Sequence, residues 1–260
     1  MLVYPRRPVL VSAVQYHCAL ASQKICQPDL IPFVRLLGAD GIELRDDYWL
    51  DKHREIANIR RMLDMEDMKV TYATSATLFD TQPGKLVSLI DDAAALGASI
   101  VRVFYSPSEG VGNRSAWDSA ARAVEAARAV GVTLAVENLG KGAGRTAKEI
   151  LAVIEAVPGL RTNVDIGNYH VGRQDVSEAI QILGEHIVYA HLKDIADNPD
   201  GTFLGGGRMV LDKAIAELDA LPQTIPYCLE FTGSENPEMS IRASLEFLQS
   251  AWQSSSDEDK

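Results

Sequence analysis

The chain has 260 residues, 25 Lys+Arg against 36 Asp+Glu, a formal net charge of −11 and 47% hydrophobic residues. That length suits one large or two small domains with a substantial core. The acidic balance argues against nucleic acid or an anionic membrane as partner, since neither attracts a net anion.

Short runs rich in Val, Ile, Tyr and Thr alternate with longer stretches of helical periodicity from end to end. In chain order the pattern predicts a strand over 9–16 and a helix over 29–37, then 41–45 and 51–68, 70–75 and 83–96, and 100–105 and 115–130. The second half continues with 133–138 and 147–157, 162–166 and 176–184, 187–193 and 211–221, and 226–231 and 237–249. Thr146 with Glu149 forms a capping box, and Asn236-Pro237 offers an N-cap followed by proline at the first helical position. Gly38, Gly97, Gly131 and Gly184 stand where helices should stop. Eight units of roughly 32 residues match the βαβ repeat, and the strands are nearly continuously apolar, as in a parallel sheet covered by helices. These features predict a single (β/α)8 TIM barrel over 1–252, followed by a disordered acidic tail over 253–260. A doubly wound open sheet would usually carry a Gly-rich loop after its first strand, where this chain has Tyr16-His17-Cys18-Ala19-Leu20.

Cys18, Cys26 and Cys228 give neither a disulfide framework nor a zinc spacing. No apolar run approaches the roughly 20 residues of a membrane span, and the N-terminal residues lack a secretory apolar core. A reduced, cytoplasmic setting is expected.

In such a barrel the C-terminal strand ends line the active site. Four consecutive strands end with Glu137, Asp165, His191 and Glu230, spaced by 28, 26 and 39 residues. One barrel mouth would gather all four. Three carboxylates packed together repel and take up protons unless a cation lies among them. Three carboxylates and one imidazole make an oxygen-dominated site for a divalent metal ion, suited to Mn²⁺, Mg²⁺ or Co²⁺, with Zn²⁺ also compatible.

The motifs AVENLG, VDIGN, AHLKD and CLEF, with GIELR on the second strand, resemble the sugar isomerase/epimerase superfamily of xylose-isomerase-like barrels. That group includes ketose 3-epimerases, hydroxypyruvate isomerase, inosose dehydratase and dehydroshikimate dehydratase. The resemblance implies that Glu137, Asp165, His191 and Glu230 are metal ligands and that Glu137 and Glu230 are the catalytic acid/base pair. It implies isomerisation or epimerisation of a sugar, sugar phosphate or small hydroxy-ketone through a metal-held enediolate. The alternative is a dehydratase of a cyclic polyol ketone or dehydroshikimate-like substrate. Ketose 3-epimerases contact their sugar with a Glu, a His and an Arg, where this chain has Ala143, Asn168 and Asp197. Asn168, His170, Lys193, Arg45 and Glu43 are the candidate substrate contacts, with Arg102 a further anion contact. The glycines of 204–208 suit a plain loop better than a phosphate site, and those of 140–144 a lid. The DNA-repair branch of the fold needs a basic surface that this composition lacks. The partner expected is a small carbohydrate-like molecule, and the outer helices leave room for a homo-oligomer.

Overall fold

The computed structural model describes residues 6–79, 82, 84–105, 114–232 and 234–257, with side chains through 253. Among the described residues eight strands pair in parallel and in chain order, and the last returns to the first to close a barrel. They are β1 (Val9–Ser12), β2 (Gly41–Arg45), β3 (Lys69–Thr77), β4 (Ile100–Phe104), β5 (Thr133–Glu137), β6 (Arg161–Asp165), β7 (Ile187–Leu192) and β8 (Tyr227–Leu229). Helices α1 (His17–Ala21) and α2 (Gln27–Leu37) follow β1, and α3 (Lys52–Glu66), α4 (Lys85–Leu96), α5 (Arg114–Ala129) and α6 (Ala147–Ala156) follow β2 to β5 in turn. Two helices, α7 (Ile166–Val171) and α8 (Val176–Leu183), follow β6, then α9 (Leu211–Asp219) follows β7 and α10 (Pro237–Asp257) follows β8. This is the (β/α)8 barrel expected from the alternation.

Strand alternation divides the core in two. Val9, Val11, Ile42, Leu44, Val101, Val103, Leu134 and Val136 point outward and join the helices in the main cluster. The buried stripe Leu30, Ile31, Val34 and Leu37 of α2 is one such helical face. Leu10, Ile100, Ala135, Tyr189 and Cys228 form a separate small cluster inside the barrel. Each of these five lies two residues before Ser12, Arg102, Glu137, His191 or Glu230, so an apolar layer floors the polar one above it.

The far end is tied shut by a buried arginine. The Arg7 guanidinium donates to the carbonyls of Leu218, Asp219 and Leu221 at the end of α9. Asp219 accepts from the Tyr227 hydroxyl at 2.6 Å and the Trp252 indole at 2.9 Å. A cation at a helix C-terminus answers both the helix dipole and its unpaired carbonyls.

Three boundaries differ from the pattern. β1 stops at Ser12 rather than residue 16, because the Ser12 hydroxyl accepts from Val14 N–H and opens a 3₁₀ turn. α7 intervenes directly after β6, N-capped by Asp165, whose carboxylate accepts from Asn168 N–H at 2.8 Å. α10 runs on to Asp257, through residues expected in a disordered tail. Trp252 anchors it on Asp219, and an established helix adds one backbone bond per residue. The expected helix start at Pro83 and the last tail residues, 258–260, lie outside the described residues. The capping box of Thr146 and Glu149 is formed, and Gly38 and Gly97 end α2 and α4 with φ of 92° and 77°. All three cysteines are free. Among the described residues no helix is long and apolar enough to cross a membrane.

Candidate functional site

The C-terminal mouth of the barrel gathers a dense set of charges. Glu137 ends β5, Asp165 ends β6, His191 lies near the end of β7 and Glu230 follows β8. One ligand atom from each lies within 4.8 Å of the others. Glu137, Asp165 and His191 are buried, while the Glu230 side chain keeps 13% exposure and marks the opening.

Local bonds set each of these side chains. Asn138 donates to the carbonyl of Asp165 at 3.0 Å and accepts from its N–H at 2.8 Å, stitching β5 to β6. Asn168 donates its amide to Glu137 Oε1 at 3.2 Å and to the carbonyl of Asn138 at 3.1 Å. His191 Nε2 is 2.8 Å from Glu43 Oε2, and Glu43 Oε1 accepts from the Ser12 hydroxyl at 2.8 Å. With Nε2 donating to Glu43, Nδ1 faces Glu230 Oε2 at 3.1 Å and Glu137 Oε2 at 3.7 Å.

Three permanent cations border the acids. Arg102 Nε lies 2.7 Å from Glu137 Oε2 and its Nη2 3.7 Å from Glu230 Oε1, with the guanidinium over the Phe104 ring and Nη1 donating to the carbonyl of Thr74. Lys193 Nζ lies 2.7 Å from Asp165 Oδ2 and 3.7 Å from Glu230 Oε2. Arg45 reaches Glu230 Oε1 and Asp47 Oδ2, each at 3.2 Å, its backbone clamped by the Gln27 amide. The repulsion among the carboxylates is therefore relieved in part by the chain itself, which charge counting at the strand ends of β5 to β8 does not reveal.

These neighbours drive the two glutamates apart. Burial pushes Glu137 up to about 7, against the pull of Arg102 and His191. Burial acts on Glu230 as well, yet His191, Lys193 and Arg102 hold it well below the usual carboxylate range. For His191, burial works against the charged ring, but Glu43, Glu230 and Glu137 outweigh it and raise the imidazole well above its ordinary value.

A metal ion fits this set. His191 Nδ1 is a buried atom without a well-directed hydrogen bond and faces the cluster, its nearest partners the carboxylates of Glu230 and Glu137 at 3.1 and 3.7 Å. Buried polar atoms are seldom left so, and one nitrogen with three carboxylates is a donor set for Mn²⁺, Mg²⁺, Co²⁺ or Zn²⁺. The imidazole also carries the outer carboxylate that typically orients a ligating histidine.

The expected substrate contacts divide. Arg45 and Lys193 face the cluster. Glu43 does not: it is fully buried behind His191, both oxygens engaged, one layer below the mouth. Asn168 is spent on Glu137 and Asn138. His170 is exposed and bonds to none of these groups among the described residues, because α7 starts at once after Asp165 and two residues carry it about 200° round from Asn168. In the 204–208 loop the N–H groups of Gly207 and, just beyond, Met209 go to the Asp194 carboxylate, as in a plain loop. Ser12 and Asn138 were not legible as site residues. A polar side chain buried at an apolar strand end is the sign that marks them.

Residues 31–251 match the sequence model of a family described as xylose isomerase-like TIM barrel. The chain belongs to that family. No curated protein matches it in sequence. Among solved structures it is similar to a D-allulose 3-epimerase from Methylomonas sp. in complex with D-allulose, at TM-score 0.75 and 17% identity, over 96% of this chain and 99% of that one. An L-ribulose 3-epimerase gives TM-score 0.77 and 18% identity over 98% and 97%. The probable 3-DHS dehydratase of petrobactin synthesis from Bacillus anthracis gives 0.76 and 17% over 93% and 98%. At these identities the likeness to solved structures speaks for the barrel alone.

Proposed function

We propose that this protein is a divalent-metal-dependent isomerase or epimerase of a sugar, sugar phosphate or small hydroxy-ketone. Glu137, Asp165, His191 and Glu230, converging within 4.8 Å with the Nδ1 edge of His191 turned toward the carboxylates, carry this reading. A bound Mn²⁺, Mg²⁺, Co²⁺ or Zn²⁺ would act as a Lewis acid, stabilising negative charge on oxygen beside a carbon that loses its proton. Glu137 and Glu230 flank His191 Nδ1 at 3.7 and 3.1 Å, placed to take a proton from carbon and to return one. Return to the same carbon from the opposite face inverts it, and return to its neighbour isomerises. Asn168 and Arg102 hold the two oxygens of Glu137.

A second reading, dehydration of a carboxylate-bearing cyclic ketone, draws support from Arg102. Its buried Nη2, 3.7 Å from Glu230 Oε1, makes no hydrogen bond, and with Lys193 nearby it suits a substrate carboxylate. The same C–H deprotonation followed by loss of a β-hydroxyl gives a C=C bond.

Protein supplied with Mn²⁺ is incubated in D₂O with ketoses, hydroxypyruvate and 3-dehydroshikimate. Deuterium entering next to the carbonyl is expected, and Glu137→Gln or Glu230→Gln should slow it by about 10²–10⁴-fold. A new C=C or aromatic chromophore that forms as substrate is consumed selects the dehydratase. Absence of both bound metal and exchange with any substrate overturns both readings.

A further inference from the structure

Lys193 occupies an unusual place for a cation, between two candidate ligands of a cation. Its ammonium is 2.7 Å from Asp165 Oδ2 and 3.7 Å from Glu230 Oε2. Asp165 Oδ1 accepts from the backbone N–H of Asn168, so both oxygens of Asp165 are engaged. The side chain of Lys193 is 9% exposed and its stem runs through a slot made by two glycines. A Cβ on Gly167 would fall 2.5 Å from Lys193 Cγ and 2.6 Å from Cε, and one on Gly201 would fall 2.9 Å from Cδ. The segment carrying Gly201 is fastened in turn. Asp194 exchanges backbone bonds with Thr202 at 3.1 and 2.8 Å, and its carboxylate accepts from Ile195, Gly207 and Met209. The fold thus aims this ammonium at Asp165.

An ammonium and a divalent ion sharing one carboxylate repel each other strongly at such distances. We propose that Lys193 is a resident counter-ion of the acid cluster that competes with the divalent ion for Asp165 and Glu230, a role that rests on the metal-centre reading above. It keeps the cluster assembled when no metal is bound, and it makes metal binding weaker than the four ligands alone would give. The site is then built for an exchangeable ion.

Mn²⁺ titration calorimetry and thermal unfolding of the full chain test this. Lys193→Met removes the charge at nearly constant length. Gly167→Ala keeps the charge but displaces the stem, and α7 accepts alanine there because the Gly167 backbone lies in an ordinary helical turn. Lys148→Met, at a side chain 80% exposed on α6, controls for net charge. Both site variants should bind Mn²⁺ about tenfold more tightly, or about 1.4 kcal/mol, with Lys148→Met unchanged. The metal-free midpoint of Lys193→Met should fall below wild type while the Mn²⁺-loaded midpoints draw together. Mn²⁺ bound by Lys193→Met but not by wild type supports competition in its strongest form. If Lys193→Met fails to fold, tighter binding by Gly167→Ala still supports it. Equal or weaker Mn²⁺ binding by the folded site variants overturns the competition and leaves the metal centre standing. No Mn²⁺ binding by wild type or any variant overturns both.

Discussion

Glu43→Gln separates the orientation of His191 from the ligands themselves. The Glu43 carboxylate is shared between the Ser12 hydroxyl and His191 Nε2, each at 2.8 Å, with no exposure to solvent. Glutamine keeps the shape. Its carbonyl can accept the Nε2 proton while its amide faces the Ser12 oxygen, which can rotate to receive it. What is lost is the negative charge that makes the imidazole a better donor through Nδ1. Loss of such an outer partner typically weakens metal affinity 10–100-fold, about 1.4–2.8 kcal/mol. Glu43→Ala should behave differently, leaving Ser12 and the imidazole unpaired inside the barrel. Breaking a buried ion pair this way costs about 3–5 kcal/mol, or roughly 6–20 °C of melting temperature at this chain length. Mn²⁺ calorimetry and thermal melts on the three proteins read both effects. Unchanged Mn²⁺ affinity in Glu43→Gln would refute the placement of Glu43 as the group that orients His191.

Metal binding should strengthen as pH rises from 6 to 8. Without metal, burial holds Glu137 up to about 7 and the surrounding carboxylates keep His191 charged, so the metal-free chain carries protons that ligation must expel. Calorimetry at pH 6 in two buffers of different ionisation enthalpy should show proton release, and a pH-independent affinity would contradict it. Asn138→Ala removes both bonds that stitch β5 to Asp165. A lower melting temperature together with weaker Mn²⁺ binding is expected, at about 1–3 kcal/mol for the orphaned backbone groups. Asp219→Ala leaves the buried Arg7 without its acid and should destabilise by about 3–5 kcal/mol in urea titration. Its Mn²⁺ affinity should stay that of wild type, because Asp219 belongs to the opposite end of the barrel.

The barrel was legible because its signals agree. Periodicity, capping residues and glycine stops all divide the chain at nearly the same places. The four candidate ligands were legible for a related reason. In a parallel strand covered by helices, a lone acid or imidazole at the C-terminal end is out of character unless something outside the strand answers it. Depth was harder. Alternation puts Glu43 and Arg45 on one face of β2, but only the packed layers show that Glu43 lies beneath His191 while Arg45 reaches Glu230. The single turn of α7 hid the direction of His170, since six residues between a strand and a Gly-Arg turn carry little helical pattern. The balance of charge was hidden most of all. Arg102 and Lys193 stand on different strands from the acids they meet, and no local spacing connects them.

The tie between Arg7 and the end of α9, with β1 paired to β8, joins the first strand of the barrel to its eighth. Val9 cannot meet Tyr227 until every strand between them has been synthesised. A nascent chain leaving the ribosome must therefore keep two raw sheet edges apart from other molecules until β8 emerges, and the ring closes with that strand. Stalled or shortened translation products that end before β8 should be the aggregating species in the cell, whatever the stability of the finished protein.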